Sequence, residues 1–301
     1  MTVQHRQYDP EMDYQKISDF LIRHYRPDNL DGNWLEPIWE YMHGHPNLER
    51  SALGKIRIWE DEGEIVGVAN YESVPGEAFF QFHPDYRHLR TEMLDYTEQN
   101  LYGSSKSDGR RILHVFVNDF DQPLRQLVQS RGYQRLPEED RPLYQFAVPD
   151  PFPVIELPPG YRLTSLAEEP DWAKLHRVMW RGFNHPGEPE MNERKFEERR
   201  RMFDTVRASR ELKILVAAHN GEFAAICGMF YEPRHRFGYV EPVATDPTYR
   251  RLGLGKAAVL EGIRRCALLG ASTAYVGSDQ AFYQAIGFRK DTIEECWVKT
   301  F

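Results

Sequence analysis

The stretch Asp246-Pro-Thr-Tyr-Arg250-Arg-Leu-Gly253-Leu-Gly255-Lys256 decides the fold of the second half of the chain. It follows an apolar run typical of a strand and precedes apolar residues at helical spacing, so a helix is predicted to begin there. The two glycines let the backbone turn tightly and approach a ligand without a Cβ in the way. The first amides of the helix, with basic side chains beside them, predict an anion site suited to a pyrophosphate.

Two common nucleotide-binding motifs do not fit this turn. A P-loop requires Ser or Thr after the lysine, whereas Ala257 follows Lys256. A dinucleotide-binding fingerprint requires a third glycine, where this chain has Ala258. The pattern that remains, Arg250-x-x-Gly253-x-Gly255, resembles the acetyl-CoA pyrophosphate loop of the GNAT N-acetyltransferase superfamily.

A second motif lies about thirty residues further along the chain. Tyr283 with Gly287-Phe288 matches the Tyr-x-x-x-Gly-Phe segment of GNAT enzymes in spacing and in order. A predicted helix closed by Gly270 and a short predicted strand, Thr273–Val276, join the two motifs. The resemblance covers residues 160–301 and implies a mixed, mostly antiparallel twisted sheet flanked by helices.

The first half of the chain repeats this plan. Residues 83–92 parallel residues 246–255 at an offset of 163, and residues 127–133 parallel residues 282–288 at an offset of 155. Several parallel segments in the same order predict a duplicated unit of about 150 residues.

A proline-rich stretch marks the predicted boundary between the two halves. Prolines at 149, 151, 153, 158 and 159 exclude a helix or a central strand there. We therefore predict one domain over residues 1–150 and a second over residues 151–301.

The two halves differ where a cofactor would bind. Arg90 and Glu92 stand where the second half has its two glycines, so side chains obstruct the turn and a carboxylate repels a pyrophosphate. Val128 stands in place of Tyr283 and has no proton to give. The first half is thus predicted to be a degenerate GNAT-like domain that is structural or shapes an acceptor pocket. A weakened second cofactor site in it is the alternative.

The resemblance also implies roles for individual residues. Tyr283 is expected to donate a proton to the leaving thiolate. Glu241 lies on the strand beside the expected acetyl position, where it is the candidate base or, with water acting as base, a ligand for a cationic acceptor. The residues expected to contact the cofactor are Val243, Ala244, Thr245, Arg250, Arg251, Leu252, Gly253, Leu254, Gly255, Lys256 and Ser278.

One position departs from the family pattern. Members commonly carry an asparagine seven residues before the tyrosine, which binds the pantetheine arm, and this chain has Val276 there. Ser278 or Asp279 is the candidate substitute. Pro242, on the preceding strand, has no N–H to offer the cofactor.

Composition limits the class of function. The net charge of −8 argues against nucleic acid as the main partner, because phosphate binding needs concentrated positive charge. The lack of a long apolar run or a signal peptide, together with three widely spaced cysteines, predicts a cytoplasmic protein without a membrane segment. The pair His43-Gly-His45 lacks carboxylate or thiol company, so no metal is predicted.

We therefore expect an α/β (α+β) protein of two GNAT-like domains, the second of which transfers an acetyl group from acetyl-CoA to a primary amine of a small molecule or peptide. Two predicted helices, Asp171–Phe183 and Lys195–Ala208, are expected to shape the acceptor pocket. A non-catalytic acyl-CoA sensor and an aminoacyl-tRNA-dependent transferase are the alternatives, and the negative charge and intact turn argue against the second. The sequence leaves the acceptor and the oligomeric state open.

Overall fold

Two units with the same order of strands make up the structure, a computed structural model that describes residues 3–105 and 108–301. The first unit comprises residues up to Met42, Asn47–Leu143 and Asp291–Phe301. The second comprises His43–Pro46 and Tyr144–Lys290.

The sheet of the first unit is antiparallel except where β4 pairs with β6. Its elements are β1 (Gln4–Gln7), α1 (Pro10–His24), α2 (Glu36–Gly44), β2 (Arg57–Asp61), β3 (Glu64–Asn70), β4 (Glu77–Phe82), α3 (Arg90–Asn100), β5 (Gly103–Ser104), β6 (Arg111–Asn118), α4 (Gln122–Ser130), β7 (Gln134–Arg135) and the start of β8 (Arg141–Ala147). Strands β1 to β4 pair antiparallel in sequence order, and β4 then pairs parallel with β6.

The second unit repeats this succession. Its elements are β9 (Arg162–Ser165), α5 (Trp172–Gly182), α6 (Glu193–Phe203), β10 (Lys213–Ala217), β11 (Phe223–Glu232), β12 (Phe237–Thr245), α7 (Leu254–Leu268), β13 (Thr273–Val276), α8 (Ala281–Ile286) and the start of β14 (Arg289–Thr300). Strands β9 to β12 pair antiparallel, and β12 pairs parallel with β13. The predicted duplication and the mixed, mostly antiparallel sheet with flanking helices are confirmed.

Each sheet is completed by a strand from outside its own half of the sequence. In the first unit, residues 294–300 of β14 pair antiparallel with residues 112–118 of β6. In the second unit, residues 144–147 of β8 pair antiparallel with β13. The division predicted at residue 150 differs from the observed one in these two segments, because backbone pairing between distant strands leaves no mark on local composition. It differs also in His43–Pro46, which belongs to the second unit.

The two helices that lead the second unit form close to the predicted places. Asp171 caps α5 by accepting from the Lys174 amide at 2.9 Å. Helix α6 ends at Phe203, five residues before the predicted end at Ala208. There Arg210 binds the Asp204 carboxylate at 2.6 and 2.8 Å and the chain turns away from the helix axis, which leaves Val206 exposed.

The core of the second unit lies between α7 and the strands β10 to β12. Val259, Ile263 and Cys266 of α7 are buried there with side chains of β11. Gly262 permits this approach, because an added Cβ would lie only 2.7 Å from the Met229 side chain. All three cysteines are buried free thiols. In the described part of the chain, every helix is too short or too polar to cross a membrane.

A half-buried ion-pair cluster lies in the first unit. Arg141 binds Glu72 at 2.5 and 3.2 Å, lies over the Phe79 ring at 4.7 Å, and has Glu294 at 3.7 Å. Burial raises the pKa of Glu294 to about 7; the charge of Arg141 opposes this rise and that of Glu72 adds to it. One guanidinium therefore serves two carboxylates, and Glu294 is the one that is poorly compensated.

This cluster predicts a pH-dependent stability. Because the folded pKa of Glu294 lies above its ordinary value of 4.5, ionisation costs the native state more than the unfolded chain. Stability should therefore fall as pH rises from about 4.5 to about 7. Glu294→Gln should flatten this fall in urea unfolding and raise the free energy of unfolding at pH 8 by up to roughly 3 kcal/mol. The control is Glu156→Gln, which changes an exposed side chain and should keep the wild-type pH dependence. If wild type and Glu294→Gln show the same dependence of unfolding free energy on pH, Glu294 is not the cause of the fall.

Candidate active site

The two central strands of the second unit separate partway along their length. β12 pairs with β13 only from Phe237↔Thr273 to Tyr239↔Tyr275, and then continues beside β11 alone as far as Thr245. Among the described residues no strand pairs with the other edge of residues 240–245. The separation therefore opens a groove lined by backbone on one side, which we call the β12–β13 groove.

Backbone pairing decides which amides face this groove. The Asp246 amide donates to the Ala224 carbonyl while Thr245 lies opposite Ala225, so Thr245 is in a pair that does not exchange hydrogen bonds with β11. Its N–H and C=O therefore point towards the groove, as do those of Val243 two residues earlier. Ala244 uses its backbone groups on β11, so of the three predicted amides only those of Val243 and Thr245 are placed for a ligand.

A bulge lies on β12 at the start of the groove-lining segment. The pairing with β11 shifts between Cys227↔Val243 and Met229↔Val240, so Glu241 and Pro242 lie opposite the single residue Gly228. A side chain at Gly228 would collide with the Glu241 carbonyl. Bulges turn side chains away from regular alternation, and this one sets the position of Glu241.

The glycine turn fits its place for two different reasons. Gly253 has a φ of +78° and open space around it, so its conformation is what favours glycine. Gly255 has an ordinary conformation, but an added Cβ would lie 2.9 Å from Thr245 Oγ1 and 3.4 Å from the Phe282 ring. α7 begins at Leu254, so its first amides lie at this turn.

The three basic side chains of the turn differ in their contacts. Arg250 donates to the Thr245 carbonyl at 3.1 Å, to the Gly182 carbonyl at 2.8 Å and to Asn184 Oδ1 at 2.9 Å. Arg251 and Lys256 are exposed and make no hydrogen bond or ion pair within the described part of the chain. Arg250 thus holds the end of α5 against β12, whereas Arg251 and Lys256 are available to an anion.

Sequence reasoning missed the contact between α5 and the groove. Gly182 packs on the end of β12 so closely that an added Cβ would lie 2.7 Å from Ala244 Cβ and 3.1 Å from the Thr245 nitrogen. A glycine at the end of a helix looks like an ordinary helix terminus in the sequence. Here its missing side chain leaves the end of the groove uncovered.

Tyr283 is buried with its hydroxyl unused by the described residues. The side chain is 7% exposed and lies between the rings of Phe282 and Phe288, with centroids 4.9 and 5.7 Å away. The hydroxyl makes no hydrogen bond to described residues. Burial raises the pKa of Tyr283, and the negative charge of Glu241 raises it further. The phenol therefore keeps its proton at neutral pH.

Glu241 on β12 and Cys227 on β11 both lie where the pairing of these two strands shifts. Glu241 is half-buried on the bulge. Burial raises the pKa of the Cys227 thiol, so this cysteine is not a nucleophile at neutral pH. The roles of Tyr283 as acid and of Glu241 as base stay predictions.

Polar groups of the connection from β13 to α8 form hydrogen bonds with each other and with α8. Ser278 Oγ accepts from the Gln280 amide at 3.4 Å, and Gln284 Nε2 donates to the Asp279 carbonyl at 2.7 Å. Val276, which replaces the family asparagine, is buried at the end of β13. The role of Ser278 in holding a pantetheine arm stays a prediction.

Two histidines, His176 in α5 and His185 just after it, differ in burial. His176 is 2% exposed, its Nδ1 accepts from Arg199 Nε at 3.2 Å, and its Nε2 has no partner among the described residues. Burial, together with the Arg199 charge, lowers the pKa of His176 to about 4, so Nε2 carries the proton of a neutral ring. His185 is exposed and lies 4.6 Å from the Trp180 ring. Within the described residues, no group of three or more His, Cys, Asp or Glu side chains could hold a metal.

Residues 172–288 match the model of the acetyltransferase (GNAT) family. This segment is a GNAT-family domain. It contains the β12–β13 groove, the glycine turn and Tyr283. No curated protein matches the chain in sequence.

The chain is similar in fold to solved GNAT structures and to an N-myristoyltransferase. A GCN5-related N-acetyltransferase from Sphaerobacter thermophilus is 16% identical with a TM-score of 0.66, over 99% of this chain and 95% of that one. A tandem GNAT protein from the clavulanic acid biosynthesis pathway is 12% identical with a TM-score of 0.62, over 99% and 98%. Saccharomyces cerevisiae N-myristoyltransferase with bound myristoyl-CoA is 10% identical with a TM-score of 0.59, over 98% and 79%. The predicted tandem arrangement of two GNAT-like folds is therefore confirmed.

The different contacts of the adjacent arginines predict different effects on stability. Arg250→Ala removes the side-chain hydrogen bonds to Thr245, Gly182 and Asn184 and should lower the free energy of unfolding by about 1 kcal/mol. Arg251→Ala removes an exposed side chain and should change it by less than about 0.5 kcal/mol. Urea unfolding of the two variants beside wild type measures both; equal losses would show that Arg250 does not hold α5 against β12.

Proposed function

We propose that the second unit transfers an acetyl group from acetyl-CoA to a primary amine of a small molecule or peptide. One observation carries this proposal. A single unit combines a backbone-lined groove, a glycine turn at a helix start and a buried tyrosine with an unused hydroxyl.

The proposed cofactor follows the groove. Its pyrophosphate would accept from the first amides of α7, with Arg251 and Lys256 adding positive charge. The pantetheine arm would pair with the edge of β12 as an added strand does, using the backbone groups of Val243 and Thr245. The thioester would then lie towards Glu241 and Tyr283, where the strands begin to separate.

Acetyl transfer at this place needs one bond formed and one broken. The neutral amine nitrogen attacks the thioester carbonyl carbon, the C–N bond forms and the C–S bond breaks. The Tyr283 hydroxyl gives its proton to the departing sulfur, and the amine proton goes to the Glu241 carboxylate, directly or through water. A backbone amide of the groove would stabilise the negative charge that develops on the carbonyl oxygen.

The raised pKa of Tyr283 is compatible with this role. A buried phenol is a weaker acid than one in water, which by itself slows proton donation. A thiolate formed in the same dry groove is poorly solvated too, so its affinity for a proton rises in the same direction. The difference in proton affinity between the two groups, which decides the transfer, is therefore largely preserved.

The acceptor is proposed to enter beside α5 and α6. The overall negative charge favours a cationic amine through long-range attraction. Glu241 could hold such an amine before taking its proton, and the neutral Nε2–H of His176 could donate to an oxygen of the acceptor. Both roles rest on the proposed position of the thioester.

Gly255→Glu should abolish acetyl-CoA binding. The new Cβ would press on Thr245, and the carboxylate would repel the pyrophosphate at the helix start. Equilibrium dialysis against labelled acetyl-CoA measures the affinity, and circular dichroism checks the fold. Gly54→Glu is the matched control, because an added Cβ there meets nothing within 4 Å. A folded Gly255→Glu protein with unchanged affinity would refute the proposed pyrophosphate site.

Tyr283→Phe should lower turnover by roughly ten- to a thousandfold with little change in acetyl-CoA affinity, because only proton donation is lost. Steady-state acetylation of a panel of amines measures turnover. The control is Tyr249→Phe, whose hydroxyl is occupied by Asn220 Nδ2 at 3.0 Å. Full activity of Tyr283→Phe would remove this residue from the mechanism. If both wild type and the variant bind acetyl-CoA tightly but acetylate no amine, the alternative of a non-catalytic acyl-CoA sensor is favoured.

A further inference from the structure

The first unit has a strand separation like that of the second. β4 pairs with β6 only at Glu77↔His114 and Ala78↔Val115, although β4 continues to Phe82 and β6 to Asn118. Phe82 precedes Thr245 by 163 residues, which is also the offset between residues 83–92 and the glycine turn, residues 246–255. The first unit thus possesses an equivalent groove, which we call the β4–β6 groove.

The backbone of Phe82 faces this groove. Its neighbour His83 donates to the Val66 carbonyl while Phe82 lies opposite Gly67, so Phe82 is in a pair that does not exchange hydrogen bonds with β3. Thr245 is in the same kind of pair on β11. The amide and carbonyl of Phe82 are therefore the groups that would bind an extended ligand.

A segment of the same unit already occupies these groups. Asn33 Oδ1 accepts from the Phe82 amide at 2.6 Å, and Asn33 Nδ2 donates to the Phe82 carbonyl at 3.0 Å. One side-chain amide thus pairs with both backbone groups of a single strand residue, as a peptide-like ligand would. Asn33 is 2% exposed, so the pairing is sealed from water.

The residues on either side of Asn33 bridge the groove. The Gly32 carbonyl accepts from Asn118 Nδ2 at the end of β6 at 2.8 Å, and the Trp34 amide donates to Gln81 Oε1 of β4 at 2.7 Å. Gly32 has a φ of +73°, and an added Cβ would lie 2.9 Å from Asn118 Nδ2. Asp31–Trp34 therefore fits tightly between the separated strands.

Internal partners also occupy the residues at the mouth of this groove. Arg87, at the position of Arg250, donates to the Asp31 carbonyl. Arg90, which stands where the second unit has Gly253, binds Asp121 at 2.9 Å. Glu92, at the position of Gly255, accepts from Trp59 Nε1 at 2.7 Å. The three side chains that would face a pyrophosphate thus already bind partners within the first unit.

We propose that Asp31–Trp34 is a built-in occupant of the β4–β6 groove. Its Asn33 side chain takes the hydrogen bonds that the pantetheine amides of an acyl-CoA would take, and the first unit therefore does not bind acyl-CoA. Naming the displaced ligand rests on the function proposed for the second unit, whereas the occupation of the groove does not. The first half is then structural and not a weakened second cofactor site.

Hydrogen exchange of the full chain tests the occupation directly. The Phe82 amide should exchange slowly in ligand-free protein, and Asn33→Ala should speed its exchange about tenfold or more, because its acceptor is lost. The matched control is Asn100→Ala in α3, whose side chain donates to the Tyr96 carbonyl at 2.8 Å and should leave Phe82 unchanged. Unchanged exchange at Phe82 in a folded Asn33→Ala protein would overturn the proposal.

A second arm uses wild-type protein alone, so it holds even if Asn33→Ala does not fold. Saturating acetyl-CoA should leave the exchange of residues 79–82 and 116–118 unchanged, and slower exchange there would overturn the proposal. Residues 243–245 report separately on the second unit. If the ligand fails to slow exchange at 243–245, the proposed function fails while the occupied first groove is still judged from Phe82.

Discussion

The ending of the β12–β13 ladder at Tyr239 is the constraint on which the rest of the site depends. Because the two strands part there, the amides of Val243 and Thr245 have no strand to pair with and must find another partner. The bulge at Glu241, the glycine turn and the burial of Tyr283 all lie around this one edge. The packing of α7 on β11 through Gly262 keeps the turn against the groove.

The same constraint is met in two ways within one chain. In the first unit Asn33 satisfies the open backbone of Phe82 from inside the protein, and the side chains that replaced the turn glycines have internal partners. In the second unit Arg250 takes the Thr245 carbonyl, and no hydrogen bond of the described residues takes up the Tyr283 hydroxyl. Duplication followed by closure of one groove accounts for both halves with a single fold.

Much of this architecture could be predicted from the sequence, because glycine turns and apolar periodicity are local signals. The strand Thr273–Val276 and the helix closed by Gly270 lie where predicted. The strand pairings of β8 and β14, and the contacts of Asn33 and Gly182, could not be predicted, because each depends on residues distant in sequence. Arg250 shows the same limit: its hydrogen bonds to Gly182 and Asn184 could not be predicted, and its contact with a cofactor stays a prediction.

Isothermal titration of the full chain with acetyl-CoA tests the central claim most directly, because stoichiometry distinguishes an open groove from an occupied one. The account predicts one equivalent bound per chain, with binding lost when the turn of the second unit is blocked. Two equivalents would contradict the closure of the first groove. No binding at millimolar ligand would contradict the assignment of the β12–β13 groove as a cofactor site.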